Sequence, residues 1–228
     1  MAIQVRQINK QTAKLVCEKK HYSGRLGIFW EGFGLYEDDV LRGVCIYGQP
    51  SAPIQKHAFK HRDFRLYELT RLVVDSDVVN GASLLIGRSL RMLSEQPSAC
   101  ISYADSAHGH SGIVYQATNW LYTGATVSHD SMYLVDGVAT HPMTLRDKLG
   151  INDPARWAKE NGIEKIKPKQ KHRYFYFNGT KYQKREMISK LNYPIIQQYP
   201  KSEKTMYASD QMCNECIPSF SDIFNVIP

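Results

Sequence analysis

Residues 67–124 constrain the fold more than any other part of this chain. YELTRLVVDS (67–76) carries an apolar run of the kind found in buried central strands. SDVVNGASLLIGRSLRML follows, with Asn80, Gly81 and Ser83 as helix-start residues and Leu84, Leu85, Leu90, Arg91 and Leu93 continuing an amphipathic helix that Pro97 ends. ACISYAD (99–105) is a second strand, SAHGHSG a Gly/His loop and GIVYQATNW a short helix, with closing strands in LYTGATV and SMYLVDG. Strands alternating with helices at this spacing need crossovers. The fold class is therefore α/β or α+β, a mixed central sheet flanked by helices.

Upstream, Val5, Ile8, Leu15 and Val16 fall near helical spacing, so residues 3–20 read as one helix. HYSG (21–24) breaks it. GIFWEGFGLYE, the acidic turn Asp38–Asp39 and VLRGVCIYG then read as a hairpin, and the stretch with Pro50, Pro53, His57 and His61 as an exposed loop. With 228 residues, 43% of them hydrophobic and 22% charged, the chain can bury a core without disulfide or metal staples. No run of 18 apolar residues occurs, and the first twenty residues lack the apolar stretch of a secretory signal. The expected location is the cytoplasm, away from any membrane, with the five cysteines reduced.

The net charge of +7 is not spread evenly. Lys159–Lys190 holds ten basic and three acidic residues, which leaves 19 of each sign elsewhere. Lys165, Lys167, Lys169, Lys171 and Arg173 recur at about every second position, a spacing that on an extended segment can follow a phosphate backbone. The aromatic run Tyr174–Phe177 comes next; Phe175 and Phe177 read as sheet packing. A basic strap on a neutral globule points to a polyanion, of which double-stranded DNA is one, or to a solvated solubilising face. The expected division is a catalytic domain over 1–142, a basic, aromatic-containing DNA-binding extension over 143–200 and a loosely ordered tail over 201–228.

Several residues could carry chemistry. The turn at Asn80, Gly81, Ala82 and Ser83 opens a helix, whose free N–H groups and dipole suit a phosphate, although Ser83 could equally cap the helix. Arg71 interrupts an apolar run, where an unpaired charge is costly; it could pair with Glu68 or Asp105, or hold a phosphate. Asp105 closes a strand and could act as a base, orient His108 or His110, or cap the loop that follows. Cys45 and Cys100 read as core packing. HGH (His108, His110) and CNEC (Cys213, Cys216) each supply only two metal ligands, so no complete metal site is expected; CNEC would need another chain or a histidine to complete it.

The order of elements, with a helix carrying IVYQATNWLYTG after the second strand, resembles the GNAT acyltransferase fold. That likeness implies a pantetheine pyrophosphate at Asn80–Ser83, with acetyl-CoA or a related acyl-CoA as donor, and places Tyr115 where the family has the tyrosine that contacts the thiolate leaving group. HYSG (21–24), LRGVCIYGQPSAP (41–53), YELTRLVVDS (67–76), GASLLIGRSLRML (81–93) and ISYADSAHGHSGIVYQATNWLYTG (101–124) together resemble the bacteriophage Mom family. These are GNAT-like proteins that place a carbamoylmethyl-type group on the exocyclic amine of adenine in phage DNA and so block restriction. The resemblance implicates His21 and Tyr22 in the reacting centre with Arg71, Asp105 and Tyr115, and allows iron near His21.

Adenine N6 is a weak nucleophile because its lone pair is delocalised into the ring, so an enzyme must position it and accept its proton. In a duplex, N6 is a base-pair donor, and reaching it calls for flipping the nucleotide between aromatic side chains, for which Tyr22, Trp30 and Tyr122 are candidates. The leading expectation is a phage-type DNA adenine modification enzyme, as monomer or homodimer. The competing expectations are an acetyl-CoA-dependent N-acetyltransferase acting on a protein or small amine, and a non-catalytic DNA-binding protein.

Overall fold

The computed structural model describes residues 2–126, 132–167 and 169–201. In chain order the first elements are β1 (Ile3–Gln7), α1 (Lys10–Lys20), β2 (Glu31–Glu37), β3 (Val40–Gly48), α2 (Ala52–His57), β4 (Arg65–Val74), α3 (Gly81–Met92) and β5 (Ser98–Asp105). Then come a 3-10 turn (Ser106–His108), α4 (Ile113–Ala117), β6 (Leu121–Ala125), β7 (Met132–Val135), β8 (Val138–Thr140), α5 (Pro142–Leu149), α6 (Pro154–Glu160), β9 (Glu164–Ile166), β10 (Lys171–Asn178) and α7 (Lys181–Ser189).

Seven strands form the main sheet in the order β1-β2-β3-β4-β5-β10-β6. Every neighbouring pair is antiparallel except β4 with β5, which α3 joins as a parallel crossover. β4 is central, as its apolar run requires. The parallel pairing is short: it runs from Arg65 opposite Ser98 to Glu68 opposite Ile101. Beyond that point β4 continues to Val74 and β5 to Asp105 without pairing each other. The two strands splay, and the opening is where the site lies.

One core fills the space between the sheet and α3, with Phe33, Tyr47, Tyr67, Leu85, Leu90 and Trp120 buried in it. A second lies under α1 around Val16, Cys17, Val44 and Ile46. A third, with Phe59, Ile101, Phe175 and Met187, seats α7. Cys45 and Cys100 are fully buried, and desolvation raises both thiols, so they pack as small apolar groups.

Three expectations need correction. Residues 3–20 are a strand and a helix: Ile3–Gln7 pairs with β2, and Asn9 then caps α1 by accepting from the Thr12 N–H at 2.8 Å. The Pro50–His61 loop contains α2, with a proline in its first turn. RYFYF does not belong to a separate extension. β10 lies inside the main sheet between β5 and β6, and Tyr174 and Phe175 are fully buried. The remainder of 143–166 joins β7–β9 in a small sheet over Tyr133, Leu145 and Ala158. Val127 and Ser131 of the expected closing strands, and Cys213 and Cys216, lie outside the described residues.

Candidate active site

The splay between β4 and β5 opens into a cleft of about 290 Å³. Its walls come from four segments: the loop after α1, the second half of β4, the end of β5, and the loop from His110 into α4. All five residues expected to surround a reacting centre line it: His21, Tyr22, Arg71, Asp105 and Tyr115. Asn80, Gly81, Ala82 and Ser83 do not.

Tyr115 is 8% exposed, and its hydroxyl lies 2.8 Å from Ser102 Oγ, which is itself 2.9 Å from the Leu69 carbonyl oxygen. A carbonyl can only accept, so the serine proton goes to Leu69 and the tyrosine proton to Ser102. Burial pushes the Tyr115 phenol up to about 12, so it stays protonated at neutral pH. The neighbouring loop is held by β10. Gly112 has φ +85°, and a side chain there would run into the Tyr174 ring, while the Tyr174 hydroxyl donates to the Ser111 carbonyl at 2.5 Å.

His21 ends α1. The Ser23 backbone N–H donates to its Nδ1 at 3.1 Å, and the Ser23 hydroxyl lies 2.8 Å from the same atom. Burial first, then the charges of Arg71, His108 and His110, lower the imidazole to about 4. The ring is therefore neutral at pH 7 with its proton on Nε2, which makes it a donor there rather than a base. Tyr22 is 59% exposed and lies between two imidazoles, its ring centroid 4.2 Å from His21 and 4.3 Å from His108.

Arg71 pairs with neither Glu68 nor Asp105. Its Nε donates to the Arg25 carbonyl at 2.7 Å and its Nη1 to the Thr70 carbonyl at 2.6 Å, with Gly27 leaving room for the guanidinium. Two carbonyls orient the cation, and among the described residues no carboxylate forms an ion pair with it. Asp105 does two other things. One oxygen accepts from the Ala107 N–H at 2.9 Å, the capping role weighed above, and the other pairs with Lys171 Nζ at 2.9 Å. No side-chain hydrogen bond joins it to His108 or His110; His110 is instead lowered by burial and by His108.

Glu68 carries a signal that sequence reasoning passed over except as a partner for Arg71. It occupies the last position of β4 that pairs with β5, one residue before the cleft lining begins. Burial raises its carboxyl to about 7, against the opposing pull of the Ser51 backbone hydrogen bond, Arg71 and Lys171. A carboxyl tuned to neutrality beside a cleft is a general-base candidate.

Other expected residues sit elsewhere. Ser83 Oγ donates to the Asn80 carbonyl at 2.9 Å, and an added side chain at Gly81 would meet Val74 and Val78 at 2.8 Å, so packing explains that glycine. The turn before α3 carries Asp75 and Asp77, paired with Lys20 and Arg42, which gives an anion little reason to bind. Asn80–Ser83 thus does not fit as a cradle for a donor's diphosphate. Arg173 is tied down by Thr123, with 2.9 Å bonds to its side chain and its carbonyl, and stacks 3.4 Å from the Tyr193 ring centre. It is a structural residue of β10. Lys165, Lys167, Lys169 and Lys171 are exposed. Trp30 and Tyr122 are outside the cleft: Trp30 lines a different groove, and Tyr122 is buried against His172. Among the described residues, no group of three or more His, Cys, Asp and Glu is placed to share a metal ion.

A mixed sheet with one parallel pair that splays at its centre, a crossover helix between the paired strands and a polar cleft in the splay define a GNAT-like group-transfer enzyme. Within that class the chain belongs to the Mom protein family, whose family model matches residues 2–201. It is 28% identical over 210 residues to the methylcarbamoylase mom of Escherichia phage Mu, covering 87% of this chain and 84% of that protein. Among solved structures it is similar to the ribosomal-protein-S18-alanine N-acetyltransferase of Escherichia coli, with a TM-score of 0.45 and 8% identity over 78% of this chain and 96% of that one. A probable acetyltransferase from Staphylococcus epidermidis gives a TM-score of 0.44 and 11% identity, with 78% and 100% covered.

Proposed function

We propose that the protein modifies the exocyclic N6 amine of adenine in duplex DNA, adding a small carbamoylmethyl-type group that protects the DNA from restriction. The observation that carries this reading is the meeting of His21, Tyr22, Arg71, Asp105 and Tyr115 in one cleft at the β4–β5 splay. The name of the phage Mu relative, a methylcarbamoylase, supports it.

As the N6–C bond forms, N6 must give up one proton. Glu68, held near 7, accepts it in its ionised form. Tyr115, held protonated, donates to the departing group. The Arg71 guanidinium stabilises negative charge developing in the cleft. Tyr22, 59% exposed, offers a flipped base the part of its ring that its imidazole neighbours His21 and His108 leave uncovered. The donor would carry the group on a leaving atom at its methylene carbon, so that the N6–C bond replaces that bond and the leaving atom departs with the Tyr115 proton; a plain acyl-CoA would deliver its acyl carbon and leave an N6-acyl adenine instead. Lys165, Lys167 and Lys169 grip the phosphates beside the cleft.

Mass spectrometry of nucleosides from cells expressing the protein tests this. A deoxyadenosine heavier by a carbamoylmethyl group, with DNA resistant to restriction, is the expected result. Unmodified deoxyadenosine at high expression overturns the reading. In that case turnover of a small amine with acetyl-CoA alone marks a conventional N-acetyltransferase, and salt-dependent DNA binding with no altered nucleoside marks a binding protein.

A further inference from the structure

β10 crosses the sheet from the cleft to the opposite end, and this divides a basic segment that is continuous in sequence. Lys171 opens the strand opposite Asp105, so the chain enters β10 at the cleft end, after Lys165, Lys167 and Lys169. Asn178 closes it opposite Ser98, so Lys181, Lys184, Arg185 and Lys190 of α7 follow at the far end. With eight residues in β10 and a rise of about 3.3 Å each, the two groups stand roughly 25 Å apart.

The far end has its own groove, of about 700 Å³, lined by Trp30, Gln49, Gln55, Arg62, Arg65 and Gln96 among others. The Arg65 guanidinium carbon lies 3.9 Å from the Trp30 ring centre and 5.9 Å from that of Tyr67, so the planar cation is held flat against aromatic rings. Its Nε is buried with no hydrogen-bond partner among the described residues, and its one ion pair, with the Glu95 carboxylate, is long at 3.7 Å. Arg62, partly buried nearby, is weakened by that burial and by the charge of Arg65, and no carboxylate pairs with it among the described residues.

Glu95 apart, the acids at this end are engaged by other groups. Glu31 accepts from the Tyr67 hydroxyl at 2.9 Å and from Ser94 Oγ at 2.8 Å, and Asp63 pairs with Lys190 of α7 at 3.0 Å. The start of α7 borders the groove, since a side chain added at Gly179 would meet Pro97 of its wall at 3.4 Å. Exposed Lys181 and Arg185 extend the positive face from there. Two guanidinium groups on one groove, neither hydrogen-bonded to a carboxylate among the described residues, match the forked acceptor geometry of phosphodiester oxygens.

We propose that this groove is a second nucleic-acid contact, in which Arg62 and Arg65 hold backbone phosphates of the duplex that flanks the adenine at the cleft. The proposal rests on the DNA-modification reading. Arg65 and Arg71 are six residues apart on β4, or about 20 Å. At roughly 3.4 Å per base pair, the contact falls about six base pairs from the target.

The test is the salt dependence of binding by the full chain to duplexes of about 30 and about 10 base pairs, each centred on an adenine target. The Arg62→Gln/Arg65→Gln variant should bind the long duplex more weakly than the wild type, with the slope of log K against log salt reduced by about two. Binding and modification of the short duplex should not change. The exposed pair Lys181→Gln/Arg185→Gln reads the same end without touching the Trp30 packing, and should also lower the long-duplex slope. Wild-type slopes in both variants, with a wild type that binds and modifies DNA, overturn the second contact alone. A wild type that neither binds nor modifies DNA overturns the reading beneath it, and the groove's role falls with it.

Discussion

Glu68 is where a single side chain sets measurable behaviour. Burial raises its carboxyl from 4.5 to about 7, so its ionised fraction, and with it the proposed proton transfer from N6, should rise as the pH climbs through 7. Glu68→Gln should lower the modification rate by about 10²–10⁴-fold and remove that rise, as a pH–rate profile on duplex DNA would read. Stability moves the other way. A carboxyl whose folded pKa lies above its unfolded value favours the folded chain while protonated; that contribution is complete below about 4.5 and lost as the pH rises through about 7. The Gln variant should therefore unfold at a higher temperature than the wild type at pH 8, by an amount bounded at about 3 kcal/mol, and match it near pH 4. Tyr115→Phe makes a separate test of the donor. It keeps the ring packed against Trp120 and Tyr174, so the fold should survive while the rate falls by about 10²–10³-fold. A fully active Phe variant removes Tyr115 from the chemistry.

Among elements, β10 shapes the cleft most: Lys171 at its start pairs with Asp105, and Tyr174 packs against Tyr115. Tyr174 packs against Gly112 and bonds Ser111, which fixes the loop that carries His110 into α4. Gly112→Ala should cost more than about 1 kcal/mol, from a left-handed backbone and a collision with an immovable ring, and should cut activity beyond the loss of folded protein. Paired thermal melts and rate measurements on the soluble fraction check it; wild-type stability would show that the loop can shift. The same strand marks how far the sequence reaches. β4, α3 and β5 were legible because each has a local signature: an apolar run, an amphipathic period with a stop, and a polar strand end at Asp105. Nothing local in Arg173–Phe177 says that it inserts between β5 and β6, since sheet partners are chosen over long range. For the same reason Arg173 reads as a DNA ligand in sequence but stacks on Tyr193 in the fold, and Trp30 lies far from the cleft that Tyr22 borders. The split of residues 3–20 was missed because Val5, Ile8 and Val16 match a helical period while Asn9, the cap, carries only a weak signal.

On the scale of the whole molecule, the +7 charge is a property of two ends rather than one strap. Lys165, Lys167 and Lys169 are exposed in the chain that leads into the cleft end of β10, whereas Lys171 is drawn to Asp105 and Arg173 is immobilised. Three free cations near the target should contribute to binding whatever the duplex length, because any duplex placed in the cleft meets them. Replacing all three by Gln should thus weaken short and long duplexes alike and lower the salt slope by roughly three, without changing the thermal stability of the fold. Cleft chemistry should persist at saturating DNA, since none of the three lines the cleft. The ratio of rate at saturation to rate at low DNA therefore separates grip from catalysis. A variant whose saturated rate collapses would mean that these lysines act on the reacting nucleotide itself, and a variant with an unaltered slope would move the DNA path off this end of the sheet.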